Sequence, residues 1–315
     1  MSTRNPRLLT TWLPAALVLL AAALRFGGLA TQGLWDDEGI TYGRVILPLQ
    51  EMIRSLPAEQ MPLYYVGLKA WIKLVGQSVL AMRAFSALPS VALVSLVFHL
   101  GRRWFGTWSG VCAALYVAMA PASVYQAQTI RGYPWLVLFT MGAVAIADRA
   151  LYEGTKTARA GYALLATAAL LTHLLVAPVL LMLNVWVIAT RWRDRNTLVR
   201  WLPLQAAVIA PALLWMLFAW GSRGEMLSTA GGNLPSIWQA LRDLVSVLAV
   251  APYDPTTWAQ AFVGLPFLAL ALIGLGSWER KQRNQLSSVY LVALLWLVPF
   301  LGLNLVAWIG DAAHL

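Results

Sequence analysis

The densest group of reactive side chains in this 315-residue chain is the run Trp35-Asp36-Asp37-Glu38, which holds three of only 13 acidic residues. Three adjacent carboxylates suit two kinds of chemistry. One is general-base catalysis, in which a carboxylate accepts a proton from a reacting group, and the other is coordination of a metal ion. A solvated loop that merely carries these charges into water is the alternative interpretation.

Two arginines are candidate partners for an anionic substrate. Arg131 is the only charged residue between 125 and 133, and Arg83 lies at the start of an apolar run. A guanidinium group matches the geometry of a phosphate or diphosphate, because it donates parallel hydrogen bonds in one plane. Arg83 has a second interpretation, in which its long side chain simply reaches the membrane surface.

The elements that must position these residues are membrane helices. The chain is 60% hydrophobic and 11% charged, whereas soluble domains carry about 25% charged residues. This composition excludes a soluble enzyme and a disordered chain, and the single cysteine excludes a disulfide scaffold. We predict one all-α domain over 1–315, a polytopic transmembrane helix bundle of about nine spans. The spans are 8–29, 79–100, 107–124, 134–150, 160–172, 174–190, 202–220, 260–278 and 286–308.

The basic residues indicate the orientation of this bundle. The loops on one side hold 14 of the 23 basic residues and four acidic ones, which is the whole net charge of +10; the other side holds nine of each. By the positive-inside rule the basic side and the N-terminus are cytoplasmic. Because the charge is scattered over short loops, nucleic-acid binding is excluded.

The stretch 160–190 is apolar throughout, yet both of its flanks are basic. We predict a helical hairpin with Thr172-His173 at its outer tip, because a single long tilted helix, the alternative, would put basic loops on opposite sides. The first and fourth outer loops are predicted to contain amphipathic helices that lie along the membrane surface. These helices are 47–56, 63–74 and 237–250.

This topology gathers the reactive side chains on the non-cytoplasmic face. The acidic run, the arginines, several tyrosines and His173 all fall on that side. The combination predicts a reaction on a phosphate-bearing lipid at the outer leaflet. A carboxylate would deprotonate the acceptor, and arginines would hold the leaving phosphate.

Several short motifs resemble the GT-C superfamily of membrane glycosyltransferases. The similarity is to the dolichyl-phosphate-mannose–protein mannosyltransferase-like group of bacteria, which includes the lipid A aminoarabinose transferases. The motifs occur in family order over about residues 20–190. They are Leu24-Arg25-Phe26, Leu34-Trp35-Asp36-Asp37-Glu38, Pro62-Leu63-Tyr64-Tyr65, Arg83-Ala84-Phe85-Ser86-Ala87-Leu88, Gly101-Arg102-Arg103-Trp104-Phe105-Gly106, Ala120-Pro121 with Arg131-Gly132-Tyr133, and Thr172-His173.

The resemblance implies inverting transfer of a sugar from a polyprenyl-phosphate donor to a protein, lipid or glycan acceptor, at the extracytoplasmic side of the inner membrane. Asp37 is then the catalytic carboxylate, with Glu38 beside it. In some family members a divalent cation takes part, and Glu59 with His173 would hold it here. The substrate-binding residues implied are Asp36, Tyr64, Tyr65, Arg83, Arg131, Tyr133 and His173. Family members usually continue for more helices, so we expect either a short member or a fragment.

Two other functions compete with this one. A lipid or anion transporter, or flippase, predicts ionisable residues buried within spans and helices broken at the membrane midplane. Nearly all charges here fall at the ends of the predicted spans, which argues against it. A non-catalytic membrane scaffold is the third hypothesis.

Overall fold

A computed structural model describes residues 6–57, 60–152 and 154–223, and within these ranges the chain is helical, with no β-strand. The prediction of an all-α membrane protein is therefore confirmed for this part of the chain. Residues 173–176 contain a short 3₁₀ turn, Leu174–Val176. The described residues form eleven α-helices: α1 (Pro6–Phe26), α2 (Asp36–Ile46), α3 (Leu49–Ser55), α4 (Pro62–Val75), α5 (Val79–Phe105), α6 (Thr107–Met119), α7 (Pro121–Ala127), α8 (Tyr133–Tyr152), α9 (Lys156–Thr172), α10 (Ala177–Arg191) and α11 (Arg195–Arg223).

The seven predicted spans between 8 and 220 each coincide with one of these helices or with a helix pair. Two described helices are long and apolar enough to cross a membrane alone, Val79–Phe105 and Arg195–Ala219. The predicted span 107–124 is divided into α6 and α7, which meet at a bend of 57°. Spans 260–278 and 286–308 and the helix 237–250 lie outside the described residues. The total of nine spans, and the position of α3 and α4 at the membrane surface, remain predictions.

Local side chains explain why several helices begin where they do. The Ser78 hydroxyl accepts a hydrogen bond from Ala81 N ahead of α5, and the Thr155 hydroxyl does the same for Ala158 N ahead of α9. Asp194 accepts hydrogen bonds from both the backbone and the hydroxyl of Thr197 at the start of α11. These bonds favour the charged form and lower the pKa of the Asp194 carboxyl.

The chain divides into two compact units. The described part of the first comprises 6–38 and 71–134, and its interior lies where α1, α5 and α6 pack together. Small residues at Ala21, Ala114 and Ala118 let these helices approach, and larger ones fill the space between them. The larger core residues are Leu17, Val94, Phe98 and Val111.

Gly110 marks the closest approach of α5 and α6. A Cβ atom at this position would lie 2.7 Å from both the Phe98 carbonyl oxygen and the Arg102 nitrogen, so backbone would have to move. We expect Gly110→Ala to destabilise the protein by about 1–3 kcal/mol. Gly43→Ala is the matched control, because Gly43 is a helical glycine with open space around its Cβ position. Thermal unfolding in detergent measures both, and equal melting temperatures would contradict this packing argument.

The second unit, whose described part comprises 39–57, 60–70, 135–152 and 154–223, contains the predicted hairpin. The side-chain oxygen of Gln205 accepts hydrogen bonds from the Tyr162 hydroxyl of α9 at 3.1 Å and from Asn184 Nδ2 of α10 at 3.3 Å. In one continuous helix these two residues would be about 33 Å apart. The chain therefore turns back between them, at His173 and the 3₁₀ turn that follows. The hairpin is confirmed and the single-helix alternative is wrong, whereas the outer position of its tip remains a prediction.

Candidate functional site

The acidic run forms the first turn of α2, and the helix separates its three carboxylates. Negative charge at a helix N-terminus is favourable, because the backbone N–H groups there have no partner within the helix. Glu38 turns back towards the chain, and its Oε2 atom accepts a hydrogen bond of 3.4 Å from Trp35 N, as in the second half of a capping box. Its side chain is fully buried, whereas 42% of the Asp37 side chain is exposed and Asp36 is exposed.

Glu38 and Arg83 form a buried bidentate ion pair. Arg83 Nε donates to Oε1 at 2.9 Å, and Arg83 Nη2 donates to Oε2 at 2.7 Å. Ile130 N also donates to Oε1, at 2.8 Å. One carboxylate thus connects the start of α2, the first turns of α5 and the loop 128–132 between α7 and α8.

The remaining hydrogen bonds of Arg83 go to backbone carbonyls just before α2. Its Nη atoms donate to the carbonyl oxygens of Leu29, Gln32 and Gly33 at 2.9–3.0 Å. A guanidinium has five N–H donors, and together with Glu38 these partners engage all five. The predicted contact of Arg83 with a substrate phosphate does not fit this arrangement. The geometry favours a structural role, holding the segment 29–38.

Asp37 pairs with the other candidate arginine. Asp37 Oδ2 lies 3.3 Å from Arg131 Nη2, and the Arg131 side chain is 24% exposed. The Arg131 guanidinium also lies 5.8 Å from the centre of the Tyr133 ring, within the range of a cation–π interaction. The structure therefore brings together three predicted site residues with access to solvent: a carboxylate, a guanidinium and a phenol.

The loop that carries Arg131 is fixed at several points of the first unit. Ser86 Oγ donates to the Arg131 carbonyl oxygen at 2.9 Å, and Ile130 N is held by Glu38. Gln128 Nε2 contacts the Leu24 carbonyl oxygen and other carbonyls at the C-terminal end of α1, where helix carbonyls lack partners. These hydrogen bonds therefore hold the backbone of Arg131 in place next to Asp37.

Arg25, which lies in the same unit, was not predicted from the sequence to belong to the site. Its side chain is fully buried and contacts the carbonyl oxygens at the bend between α6 and α7. Two signals in the sequence point to it: an arginine within the apolar span 8–29, and Pro121 within the apolar span 107–124. A proline lacks the N–H that an upstream helix carbonyl needs, so another donor is required there.

The other predicted substrate-binding residues belong to the second unit. Tyr64 and Tyr65 are buried in α4 and pack edge to face, with ring centres 5.8 Å apart. The Tyr65 hydroxyl donates to the side-chain oxygen of Gln60, which also accepts from Arg44. His173 Nδ1 accepts a hydrogen bond of 3.1 Å from Leu175 N and so supports the tip of the hairpin. Substrate contact by these three residues remains a prediction.

The predicted metal site cannot be assembled from the described residues. Glu59 lies outside them, and the His173 nitrogen that faces Leu175 is already an acceptor. Within 6–57, 60–152 and 154–223, no three His, Cys, Asp or Glu residues are grouped as metal ligands. A cation held by Glu59 and His173 stays a prediction.

Comparison with solved structures identifies a fold similar to that of ArnT from Cupriavidus metallidurans. Its apo structure aligns with a TM-score of 0.58 and 18% identity, over 95% of this chain and 59% of that one. The structure of the same protein bound to undecaprenyl phosphate aligns with a TM-score of 0.55 and 19% identity, over 93% and 59%. No family model and no curated protein sequence matches the chain. This chain thus spans about three fifths of the length of ArnT, and within that length it shares the fold of this membrane protein.

Proposed function

We propose that this chain is a membrane glycosyltransferase of the GT-C superfamily that uses a polyprenyl-phosphate-linked sugar. The observation that carries the proposal is the half-exposed pair of Asp37 and Arg131, a proton acceptor beside a phosphate-binding group. Two further lines support it: the order of the motifs between residues 20 and 190, and the fold shared with ArnT, a GT-C aminoarabinose transferase. ArnT has been solved with undecaprenyl phosphate bound, which supports a donor of this class.

The reaction would be a single displacement at the anomeric carbon of the sugar. Asp37 accepts the proton of an acceptor hydroxyl or amine as that atom forms its bond to the anomeric carbon. The bond from this carbon to the phosphate oxygen breaks, and the electron pair leaves with the polyprenyl phosphate. Attack opposite the leaving group inverts the configuration. No step requires a metal ion, and a divalent cation held by Glu59 and His173 remains a proposed cofactor.

Arg131 would stabilise the leaving phosphate, since charge builds on that group as the bond breaks. Arrival of the phosphate would draw the guanidinium away from Asp37 and leave the carboxylate available to the acceptor. Tyr133 lies under the same guanidinium and would keep it in place. Glu38 and Arg83 would act as positioning residues, because their charges are buried and engaged with each other. Asp36, Tyr64, Tyr65 and His173 remain proposed contacts to donor or acceptor.

We expect Arg131→Met to lower kcat/KM for the donor by on the order of 10²–10³-fold, the scale for loss of one group that stabilises developing charge. Arg131→Lys keeps the charge but loses the paired donors, so it should retain part of the activity. Initial rates of sugar transfer to a crude acceptor extract, from purified protein in liposomes, measure both. Unchanged kcat/KM in a folded Arg131→Met protein would remove the phosphate role from this residue.

A lipid or anion transporter is the second candidate, because two features of the first unit partly match those it predicts. Arg25 is a buried charge in an apolar helix, and the span of α6 and α7 is broken. Both features lie near the ends of the predicted spans 8–29 and 107–124, not at their centres. The hydrogen bonds from Arg25 to the carbonyl oxygens at the bend explain both features, which favours a structural origin for them. A donor labelled in both its sugar and its lipid distinguishes the functions. An enzyme separates the two labels in the presence of acceptor, whereas a flippase moves both labels together across the bilayer.

The liposome experiment tests the proposed function as a whole. Transfer of labelled sugar to the acceptor by the wild-type protein supports the enzyme. Repeating the assay with a chelator tests the proposed cation, because only a metal-dependent enzyme loses activity. Movement of intact donor with no transfer would replace the proposed function with transport.

A further inference from the structure

Arg25 is a buried cation. In the part of the chain that the structure describes, its hydrogen-bond partners are all uncharged oxygen atoms. Its Nε donates to Ser90 Oγ at 2.7 Å, and its Nη2 donates to Ser123 Oγ at 3.0 Å. The Nη atoms also donate to the carbonyl oxygens of Val117 at 2.8 Å and Ala118 at 2.9 Å, with a longer bond of 3.4 Å to Ala21. All five N–H donors are engaged, although no carboxylate is among the partners. A charge in a lipid-embedded helix is costly, so a group kept there needs a reason.

The reason lies in the bend between α6 and α7. Pro121 begins α7 and has no N–H, so the Val117 carbonyl, four residues earlier, loses its helical partner. Ala120 N still donates to the Tyr116 carbonyl oxygen, and Val124 N donates to the Ala120 carbonyl oxygen. The carbonyls of residues 117–119 therefore lie at the break. Two of them point at Arg25. A guanidinium suits this site, because the C-terminal end of a helix carries partial negative charge.

The bend in turn determines where the next segment begins. α7 is only seven residues long and leads directly into the loop 128–132. Within that loop Ile130 N contacts Glu38, and Arg131 contacts Asp37. Ser123, the partner of Arg25 on α7, lies about one and a half turns before this loop. A shift at the bend would therefore move the loop relative to Asp37 and Glu38 at the start of α2.

We propose that Arg25 is a positioning residue of the candidate site: by holding α6, α7 and α5 at the bend, it sets the position of the loop 128–132 and so the pairing of Arg131 with Asp37. Its effect on catalysis rests on the proposed function, but its effect on the loop does not. Arg25→Gln removes the charge and most of the donors. Arg25→Lys keeps the charge but has three donors for these five acceptors.

Hydrogen exchange measured by mass spectrometry on the full chain tests the positioning directly, without any substrate. In Arg25→Gln we expect faster exchange in peptides from 120–133, with no change in the hairpin 160–190, and a smaller change in Arg25→Lys. Lys69→Met is the matched control. Lys69 is also a buried cation that donates to backbone carbonyls, those of Val45 and Leu47, but it lies in the second unit. Its loss should leave exchange in 120–133 unchanged.

The same variants are then assayed for transfer. We expect kcat to fall on the order of 100-fold in Arg25→Gln, the scale for misplacement of a reacting group by about 1 Å, with partial recovery in Arg25→Lys. If Arg25→Gln cannot be purified, Ser123→Ala removes the single bond to α7 and should show the same local change in exchange. Unchanged exchange in 120–133 of the purified variant would overturn the proposal, as would an equal increase in the hairpin. If the wild-type protein transfers no sugar, the proposed function fails, while the exchange result still decides the role of Arg25.

Discussion

Asp37→Asn is expected to reduce the rate of sugar transfer by on the order of 10²–10⁴-fold, the contribution of a positioned general base. The amide has nearly the same shape and can still accept a hydrogen bond from Arg131, so folding and donor binding should change little. It cannot take the proton of the acceptor. The loss should therefore appear in kcat, with a small change in the KM for the donor.

Glu51→Gln is the matched control for this experiment. It also converts a carboxylate into an amide, on an exposed side chain in the first turn of α3, and Glu51 has no proposed role in the site. Because both substitutions remove one negative charge from the first turn of a helix, a general electrostatic effect would reduce both rates alike. A large loss in Asp37→Asn alone identifies a specific role. Transfer at the wild-type rate by a folded Asp37→Asn protein is incompatible with Asp37 as the base.

The second large effect is expected in the buried pair of Glu38 and Arg83. Arg83→Met would leave the Glu38 carboxylate buried, and would also free three backbone carbonyls that the guanidinium now contacts. Loss of one partner of a buried ion pair costs about 3–5 kcal/mol. We therefore expect a strongly lowered melting temperature in detergent, or failure to purify a monodisperse protein. Arg83→Lys should recover only part of the lost stability, because an ammonium has three donors and cannot form the bidentate contact.

The comparison with Arg131→Met makes this prediction specific. The pair of Arg131 and Asp37 is half-exposed, and such pairs contribute about 0–1 kcal/mol. Substitution of Arg83 should thus lower stability, whereas substitution of Arg131 should lower the rate of sugar transfer. The double substitution of Glu38→Gln with Arg83→Met should be more stable than Arg83→Met alone, since the uncompensated charge is gone. An Arg83→Met protein as stable as the wild type would contradict the structural role given to this residue.

The sequence was sufficient to predict most of the helices, because apolar runs of membrane length are a strong signal. Helix α5 begins at Val79, where the predicted span also begins. The hairpin followed from charge alone, since both flanks of 160–190 are basic. The bend after Ala120 was not predicted, although Pro121 signals it, because an apolar run of 18 residues is also compatible with one straight span.

The candidate site was predictable as a set of residues but not as a set of roles. The acidic run and both arginines were identified from residue type and position. Asp37 and Glu38 differ in exposure because both lie in the first turn of α2, where successive side chains point about 100° apart. This rotation directs the Glu38 side chain into the interior. The engagement of Arg83 could not be foreseen, because its carbonyl partners lie 50 to 54 residues earlier in the chain. A backbone carbonyl carries no signature in a sequence.

In the proposed mechanism, Asp37 is the base of a single displacement on a polyprenyl-phosphate sugar. The most direct test is to measure, in one experiment, how much sugar the purified protein transfers and the anomeric configuration of the product by NMR. We expect a product of opposite configuration to the donor, formed by the wild-type and Glu51→Gln proteins and nearly absent with Asp37→Asn. A product that retains the donor configuration, or one formed equally by Asp37→Asn, would contradict it.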